Sequence, residues 1–397
     1  MRALGPLRGA RVLCRIDANV PMDGTRVMDD TKLTLTLPTI QYLRREGAAV
    51  VLLSHLGSGR PRETLAPAAE RLSTLLGTTV RLLRGRIGTT ALITALAELK
   101  PREVVMLENL RRYRGEQDND PTFARAIAAL GTHYIFDAFG VAHRSHASVV
   151  GVPALLPSAA GALVEREMEA MERLRDGASP FVALLGGAKI TTKAPAIARI
   201  LTVADRVLLG GALATQFFVE RGYEVGDSLV EAEGVAIAAN LRKSKRFRNV
   251  MLPLDVVVGD PRIGARSAHV VLVQSQPHRI ATGREQVLDI GPQTIRAYAE
   301  QLKAAKTILW NGPLGMFEEE PYHHGSIILA RVVASRASGR AFGVVGGGET
   351  LAVLARTRME RFIDHISSGG GAMLAYLAAD GKIPGILALR QSARVRA

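Results

Sequence analysis

In Phe181 to Lys193, FVALLGGAKITTK, an apolar run of strand length meets a glycine pair and then lysines at Lys189 and Lys193. A buried parallel strand delivers bare backbone N–H groups and cations to a phosphate in this way. The same letters also describe a plain strand-to-helix turn with solvated lysines, so the reading depends on what the chain places beside it. A second set of candidates is basic and polar: Asp17-Ala18-Asn19, Ser54-His55-Leu56-Gly57 with Arg60, Asn109 with Arg111 and Arg112, and Asp137 followed by His143, Arg144 and His146. Each of these segments follows an apolar run. Arginine, histidine and amide groups gathered at such positions predict a site for a small anion carrying two or three charges.

The elements that must hold these residues are short apolar runs alternating with longer amphipathic ones. Strands are expected at Arg11 to Ile16, Ala48 to Leu53, Val80 to Leu83, Val104 to Leu107 and His133 to Asp137, separated by helical patterns such as Thr34 to Glu46 and Ala66 to Leu76. After Leu155 to Gly177, which reads as one amphipathic connecting helix ended by glycine, the alternation resumes at Phe181 to Leu185, Arg206 to Leu209, Asn249 to Leu252, Ala268 to Val273, Thr307 to Trp310, Phe342 to Val345 and Asp364 to Ile366. This is βαβ grammar. It predicts an α/β fold of two Rossmann-like three-layer α/β/α domains with parallel sheets, joined by a helix, with ligands beyond the carboxyl ends of the strands. In the second half those ends are glycine-rich: Gly186-Gly187, Gly210-Gly211, Asn311-Gly312, Gly346-Gly347-Gly348-Glu349 and Gly369-Gly370-Gly371. Close backbone approach and helix N-termini there suit a nucleotide. Neither a Walker-type loop nor a G-x-G-x-x-G fingerprint after the first strand of either half is present. One half made for a compact anion and the other for a nucleotide predict phosphoryl transfer across a cleft between the domains, with hinge closure to exclude water.

Composition bounds the partners. The 397 residues suit two domains, 47% are apolar and 22% charged, and no apolar run approaches the ~18 residues needed to span a bilayer. No targeting segment is visible, and the lone cysteine, Cys14, lies in a strand-like run, which points to a reducing, cytoplasmic setting. Lys plus Arg exceed Asp plus Glu by 51 to 37, giving +14, which suits an anionic partner. With 5% aromatic residues a stacking platform for single strands is disfavoured, and Lys243 to Arg248 and Arg390 to Arg396 read as solvated basic faces rather than nucleic-acid patches.

The segments RIDANVP (15–21), DDTKLTLTLPTI (29–40), SHLG (54–57), LENLR (107–111), DAFGVAHRSHAS (137–148), LPSAAG (156–161), LLGGAKITTK (184–193), WNGPLGMFE (310–318), GGGETLA (346–352) and SSGGGA (367–372) together resemble the phosphoglycerate kinase family, in order and spacing, over nearly the whole chain. The resemblance implies a 3-phosphoglycerate-binding domain over 1–158, an interdomain helix over 159–177, a nucleotide-binding domain over 178–380 and a tail over 381–397 returning to the first domain. It implies reversible transfer between ATP and the carboxylate of 3-phosphoglycerate, giving 1,3-bisphosphoglycerate and ADP, with Mg2+, in a monomer that needs no membrane. Asp17, Ala18 and Asn19 then match contacts to the hydroxyl and carboxyl end of the substrate, and His55, Leu56, Gly57, Arg60, Arg111 and Arg144 the patch for its phosphate. Lys193, with Lys189 supporting it and Lys32 facing the substrate, matches the catalytic cations. Gly211, Asn311, Glu318, Gly347, Gly348, Glu349 and Thr350 match the nucleotide site, with Glu349 toward the metal. The attacking carboxylate needs no general base, so His143 and His146 are expected to bind or support rather than to move protons.

Departures from the family accompany these matches. Lys32 replaces an arginine, which keeps the charge but loses the two-pronged donor, a change of ~1 to 3 kcal/mol in transition-state support. Glu349 replaces an aspartate, two residues stand between Gly57 and Arg60, and Ala212 replaces a glycine, where its methyl would narrow the nucleotide pocket. They motivate an alternative: a divergent paralogue with weakened or lost catalysis that binds ligands or partners. Beyond Gly381, an apolar group of Ile383, Ile386, Leu387 and Leu389 predicts a docked tail whose last six residues fray.

Overall fold

The computed structural model describes residues 1, 4–273 and 278–394. The chain divides into two compact units, one formed by Met1–Glu169 with Gly381–Ala397 and the other by Ala170–Asp380.

The first unit is built on six strands: β1 (Arg11–Ile16), β2 (Ala49–Leu53), β3 (Val80–Leu83), β4 (Val104–Leu107), β5 (His133–Asp137) and β6 (Ser158–Ala160). They lie parallel in the order β3-β4-β2-β1-β5-β6. Helices α1 (Thr31–Arg45), α2 (Ala66–Leu76), α3 (Thr90–Ala97) and α4 (Pro121–Ala128) connect them. A parallel sheet covered on both faces demands continuous apolar strands, and β2 is buried along its whole length. The central strand breaks that rule once: Arg15, fully buried, lies in register between Leu53 and Phe136. The strand order reverses at β1, which places the loops after β1 and β5 at the crevice where such sheets bind ligands.

The connecting helix α5 is shorter than the periodicity of Leu155 to Gly177 predicts. It spans Ala162–Arg175, and Ser158–Ala160 before it pairs with β5 as an edge strand. Amphipathic spacing cannot register a three-residue strand whose partner lies more than twenty residues away. The helix starts where Asp137 Oδ1 accepts the N–H groups of Leu163 (2.9 Å) and Val164 (3.3 Å).

The second unit holds six parallel strands, β7 (Phe181–Leu185), β8 (Arg206–Leu209), β9 (Val250–Met251), β13 (Thr307–Asn311), β14 (Phe342–Gly346) and β15 (His365–Ser367), in the order β9-β8-β7-β13-β14-β15. Its helices are α6 (Ala194–Val203), α7 (Gly211–Glu220), α8 (Gly234–Arg242), α9 (Pro292–Ala304), α10 (His324–Ala337), α11 (Gly348–Thr357) and α12 (Gly370–Ala378). Trp310, Leu184, Ile308 and Leu329 are fully buried in its core. Both six-stranded sheets are parallel as expected, and the second unit carries a smaller sheet besides. Strands β10 (Asp255–Gly259), β11 (His269–Leu272) and β12 (Gln286–Ile290) form an antiparallel sheet in the order β11-β10-β12. Strand β11 is the one expected at Ala268 to Val273, whereas polar Asp255 and Asp289 interrupt the apolar runs of β10 and β12.

Helix α13 (Pro384–Arg394) packs within the first unit: Gly385 N–H donates to Ala142 O (2.8 Å) and Ser392 Oγ to Leu156 O (3.2 Å). Ile383, Ile386 and Leu389 are buried, whereas Leu387, predicted to join them, is 38% exposed on the outer side of the turn. Of the last six residues, expected to fray, 392–394 instead continue α13, with Ser392 bonded to Leu156 O, and 395–397 lie outside the described residues. Among the described residues no helix is long and apolar enough to cross a membrane.

Candidate active site

In the first unit the residues after β1, β2, β4 and β5 assemble a basic, anion-ready group. Asp17, nearly buried, accepts from Lys32 Nζ at 3.0 Å and from Asn19 N–H at 3.1 Å. The Lys32 ammonium also reaches Asn19 O at 3.2 Å, so the first turn of α1 is tied to the turn after β1. Asn19 Oδ1 accepts Gly57 N–H (3.0 Å), Ala18 N–H donates to Ser54 Oγ (2.8 Å), and Leu56 is held through both its backbone groups by the Asn109 amide. Arg111 Nη1 donates to Gly57 O, while its Nε and Nη2 are buried with no hydrogen-bond partner among the described residues. Burial first, then the neighbouring Arg144 and Arg15, push its guanidinium below the usual arginine range. Burial, with Arg15, Arg111, Arg144 and Lys32 around it, also drives His55 well below the ordinary imidazole value.

Arg60 is not drawn into this group. The two extra residues form a loop closed on Glu63, whose carboxylate accepts Gly59 N–H (2.6 Å) and Arg60 N–H (2.7 Å), and the Arg60 side chain is exposed. His146 is lowered to about 4 and His143 falls below its ordinary value, both chiefly through burial and Arg144, so neither adds a cation at neutral pH.

Sequence reasoning missed Arg15, Ser148 and Glu116, which lie beneath the group. Arg15 Nε donates to Ser148 Oγ (3.0 Å), Nη1 to Ile16 O, and Nη2 contacts His55 Nδ1 (3.1 Å). Ser148 in turn donates Oγ–H to Glu116 Oε1 (2.5 Å) and N–H to Oε2 (2.9 Å). The signal available was one arginine inside the apolar run RVLCRI; the partner positions follow only from topology.

In the second unit the loops after β7 and β13 meet at the reversal of strand order. Gly186 N–H donates to Asn311 O (3.0 Å), Gly187 N–H to Pro313 O (2.7 Å), and Gly211 N–H to Leu314 O (2.8 Å). At Gly211 φ is +62°, and a methyl there would stand 3.1 Å from both Gly187 N and Pro313 O, so this approach requires glycine. Asn311 Nδ2 donates to Gly346 O (2.8 Å); Thr350 Oγ1 accepts Gly312 N–H (2.7 Å) and donates to Gly346 O (3.1 Å). These bonds bind three strand ends into one floor beneath Gly347 and Gly348, where α11 begins.

Lys193, the residue preceding α6, donates Nζ to Gly186 O over this floor. Burial lowers its pKa to about 8, with the Glu349 charge opposing the fall. Lys189 stands apart, exposed and near Glu231, which accepts the N–H groups of Ile190 and Thr191. Glu318 is exposed beyond β13, Glu349 is exposed on the first turn of α11, and Ala212 lies half-buried on the first turn of α7.

Known proteins are similar to this chain over nearly its whole length. The phosphoglycerate kinase family profile matches residues 2–380. Phosphoglycerate kinase of Thermomicrobium roseum is 45% identical over 390 residues, 96% of this chain and 97% of its own. That of Moorella thermoacetica is 43% identical over 393 residues, 97% of each. The solved phosphoglycerate kinase of Coxiella burnetii gives a TM-score of 0.84 at 34% identity, covering 98% of both chains. A profile match over almost the full length, with relatives at 45% and 43% identity, shows that this chain belongs to the phosphoglycerate kinase family.

Proposed function

We infer that this phosphotransferase moves a phosphoryl group reversibly between ATP and the carboxylate of 3-phosphoglycerate, giving ADP and 1,3-bisphosphoglycerate, a step of glycolysis. The observation that carries the substrate half is Arg111: two buried nitrogens, Nε and Nη2, have no hydrogen-bond partner among the described residues and stand beside Arg144 and Arg15, with Glu116 and Asp17 only partly offsetting that charge, which suits an anion. We assign the phosphate of 3-phosphoglycerate to Arg111, Arg144 and His55, with Gly57 and Leu56 shaping that end, and its hydroxyl and carboxyl end to Asp17, Ala18, Asn19 and Lys32. The nucleotide phosphates fall to Lys193 and the loop Gly347 to Thr350, with Gly211 and Asn311 forming the floor and Glu318 holding the ribose. Lys189 supports from the rim, and Arg60 enters only if its loop moves.

Because the substrate carboxylate is the nucleophile, the protein has to align and neutralise rather than abstract a proton. Lys32 and Lys193 supply charge for a direct in-line transfer. Among the described residues no cluster of three His, Cys, Asp or Glu side chains could hold a metal by itself. The single Glu349 carboxylate therefore fits magnesium that brings phosphate and water ligands, and when bound the ion would neutralise charge on the phosphate oxygens. We place the protein in the cytoplasm as a monomer, which light scattering would check; the buried free thiol of Cys14 suits a reducing compartment. Nothing in the structure favours the non-catalytic alternative, since Lys32 keeps its ion pair with Asp17 at 3.0 Å and Lys193 keeps the Glu349 charge nearby.

The decisive experiment is ADP formation dependent on 3-phosphoglycerate, coupled to the dehydrogenase that consumes the bisphosphate, and the same reaction in reverse. Absence of turnover at millimolar substrates with excess magnesium would sink this reading.

A further inference from the structure

The chain of bonds beneath the basic group fixes more than the position of a side chain. A guanidinium carries donors and no acceptor, and a carboxylate carries acceptors only. Glu116 therefore accepts the Ser148 hydroxyl proton (2.5 Å), which leaves the Ser148 lone pairs to accept Arg15 Nε–H (3.0 Å). Arg15 is then oriented at both ends, with Nη1 on Ile16 O and Nη2 on His55 Nδ1 at 3.1 Å. Since Arg15 can only donate, Nδ1 must offer its lone pair, and the imidazole proton must sit on Nε2. Among the described residues Nε2 has no protein partner, and it does not count among the buried unpaired atoms, so it opens to solvent. The histidine is 4% exposed overall.

We propose that Arg15, held by Ser148 and Glu116, is a positioning residue that locks His55 as a neutral imidazole with its N–H at Nε2, so that His55 meets a phosphomonoester as an uncharged donor. This rests on the assignment of the basic group to 3-phosphoglycerate. The surroundings agree: cations face His55 from β1 (Arg15), the segment after β4 (Arg111), the loop after β5 (Arg144) and α1 (Lys32), and each opposes protonation of the ring together with burial. The acids beside this cluster are already bonded, Asp17 to Lys32 and Glu116 to Ser148. A further cation at His55 would add repulsion among the arginines when the site is empty. A neutral N–H keeps the donor without that repulsion, and the bound anion meets the same ring at every pH where the enzyme works.

Nitrogen-15 NMR of the histidine-labelled full-length enzyme tests this without any variant. The His55 ring should give the pattern of an Nε2–H neutral tautomer from pH 8 down to 5, with no titration step. An imidazolium at pH 6, or a proton on Nδ1, would overturn the proposal. Glutamine places a neutral N–H where Nε2–H stands, so His55→Gln should hold the KM for 3-phosphoglycerate within about threefold of the parent, while His55→Ala raises it about fivefold or more, the worth of one lost hydrogen bond. Gln failing as badly as Ala would count against a neutral donor. Ser148→Ala cuts the link to Glu116 and should let the Nδ1–H tautomer appear, and Ser148→Thr should suppress it again. If Ser148→Ala left the ring pattern unchanged, the positioning role would be refuted. Adding 3-phosphoglycerate separates the two readings: an Nε2–H ring whose signals ignore a substrate that is turned over supports the locked tautomer and refutes the substrate assignment instead.

Discussion

In the role proposed for it Lys193 must be protonated to meet an anionic nucleotide, yet burial brings its pKa to about 8 in the free enzyme. Free-enzyme titrations govern kcat/KM, so kcat/KM for nucleotide should fall above about pH 8. Glu349 raises that pKa, so Glu349→Gln should move the alkaline limb to lower pH; a limb that stayed in place would show that the two charges are not coupled. The other cation, Lys32, bridges Asp17 and Asn19 O. Lys32→Met leaves the Asp17 carboxylate without its partner and should cut kcat by about a hundredfold, ~3 kcal/mol, whereas Lys32→Arg restores a planar donor and should raise kcat by up to about tenfold. Steady-state kinetics on both variants decides. If Arg is no faster than Lys, the substitution is not a defect.

At the scale of elements, the start of α5 depends on one buried carboxylate. Asp137 caps the helix through Leu163 and Val164, and burial raises its pKa to about 6. The folded value lies above the unfolded value of about 3.9, so stability from this group is complete below the unfolded pKa and is lost as pH rises through 6. Asp137→Asn keeps a capping oxygen without the charge. Its stability relative to the parent should therefore climb from pH 4 to pH 7, by up to about 3 kcal/mol, in urea melts at each pH. A difference independent of pH would show that Asp137 is not the titrating group. The same helix marks where sequence legibility ends. The parallel strands β1, β3, β4, β5, β7 and β8 carry short, mostly apolar runs, and their limits are readable as written. Strand β6 has three small residues and exists because β5 offers an edge, while β10 and β12 form an antiparallel pair with Asp255 and Asp289 inside the strands. At the site, residues that follow strands directly were legible. Glu116 and Ser148, 32 positions apart, were not, because only the folded loops bring them together beneath Arg15.

For the whole molecule, the docked tail is the clearest test of cooperativity. Ile383, Ile386 and Leu389 are buried in the first unit, each worth roughly 1.5 to 3 kcal/mol when fully covered. Truncation after Lys382 should cost on the order of 5 kcal/mol and lower the melting temperature of the first unit; an unchanged melting curve would mean that α13 rests on the surface without holding it.

That tail has a consequence for synthesis. The second unit is one uninterrupted stretch, Ala170–Asp380, but the first is closed by residues made after that stretch is complete. The order of completion is therefore the reverse of the order of translation: the second unit has all its strands while the unit begun first still lacks α13. Nascent chains stalled with residue 380 clear of the exit tunnel should resist protease over 170–380 and remain cleavable before 169, and release of the full chain should protect both. Early protection of the first half would show that its sheet stands without the closing helix.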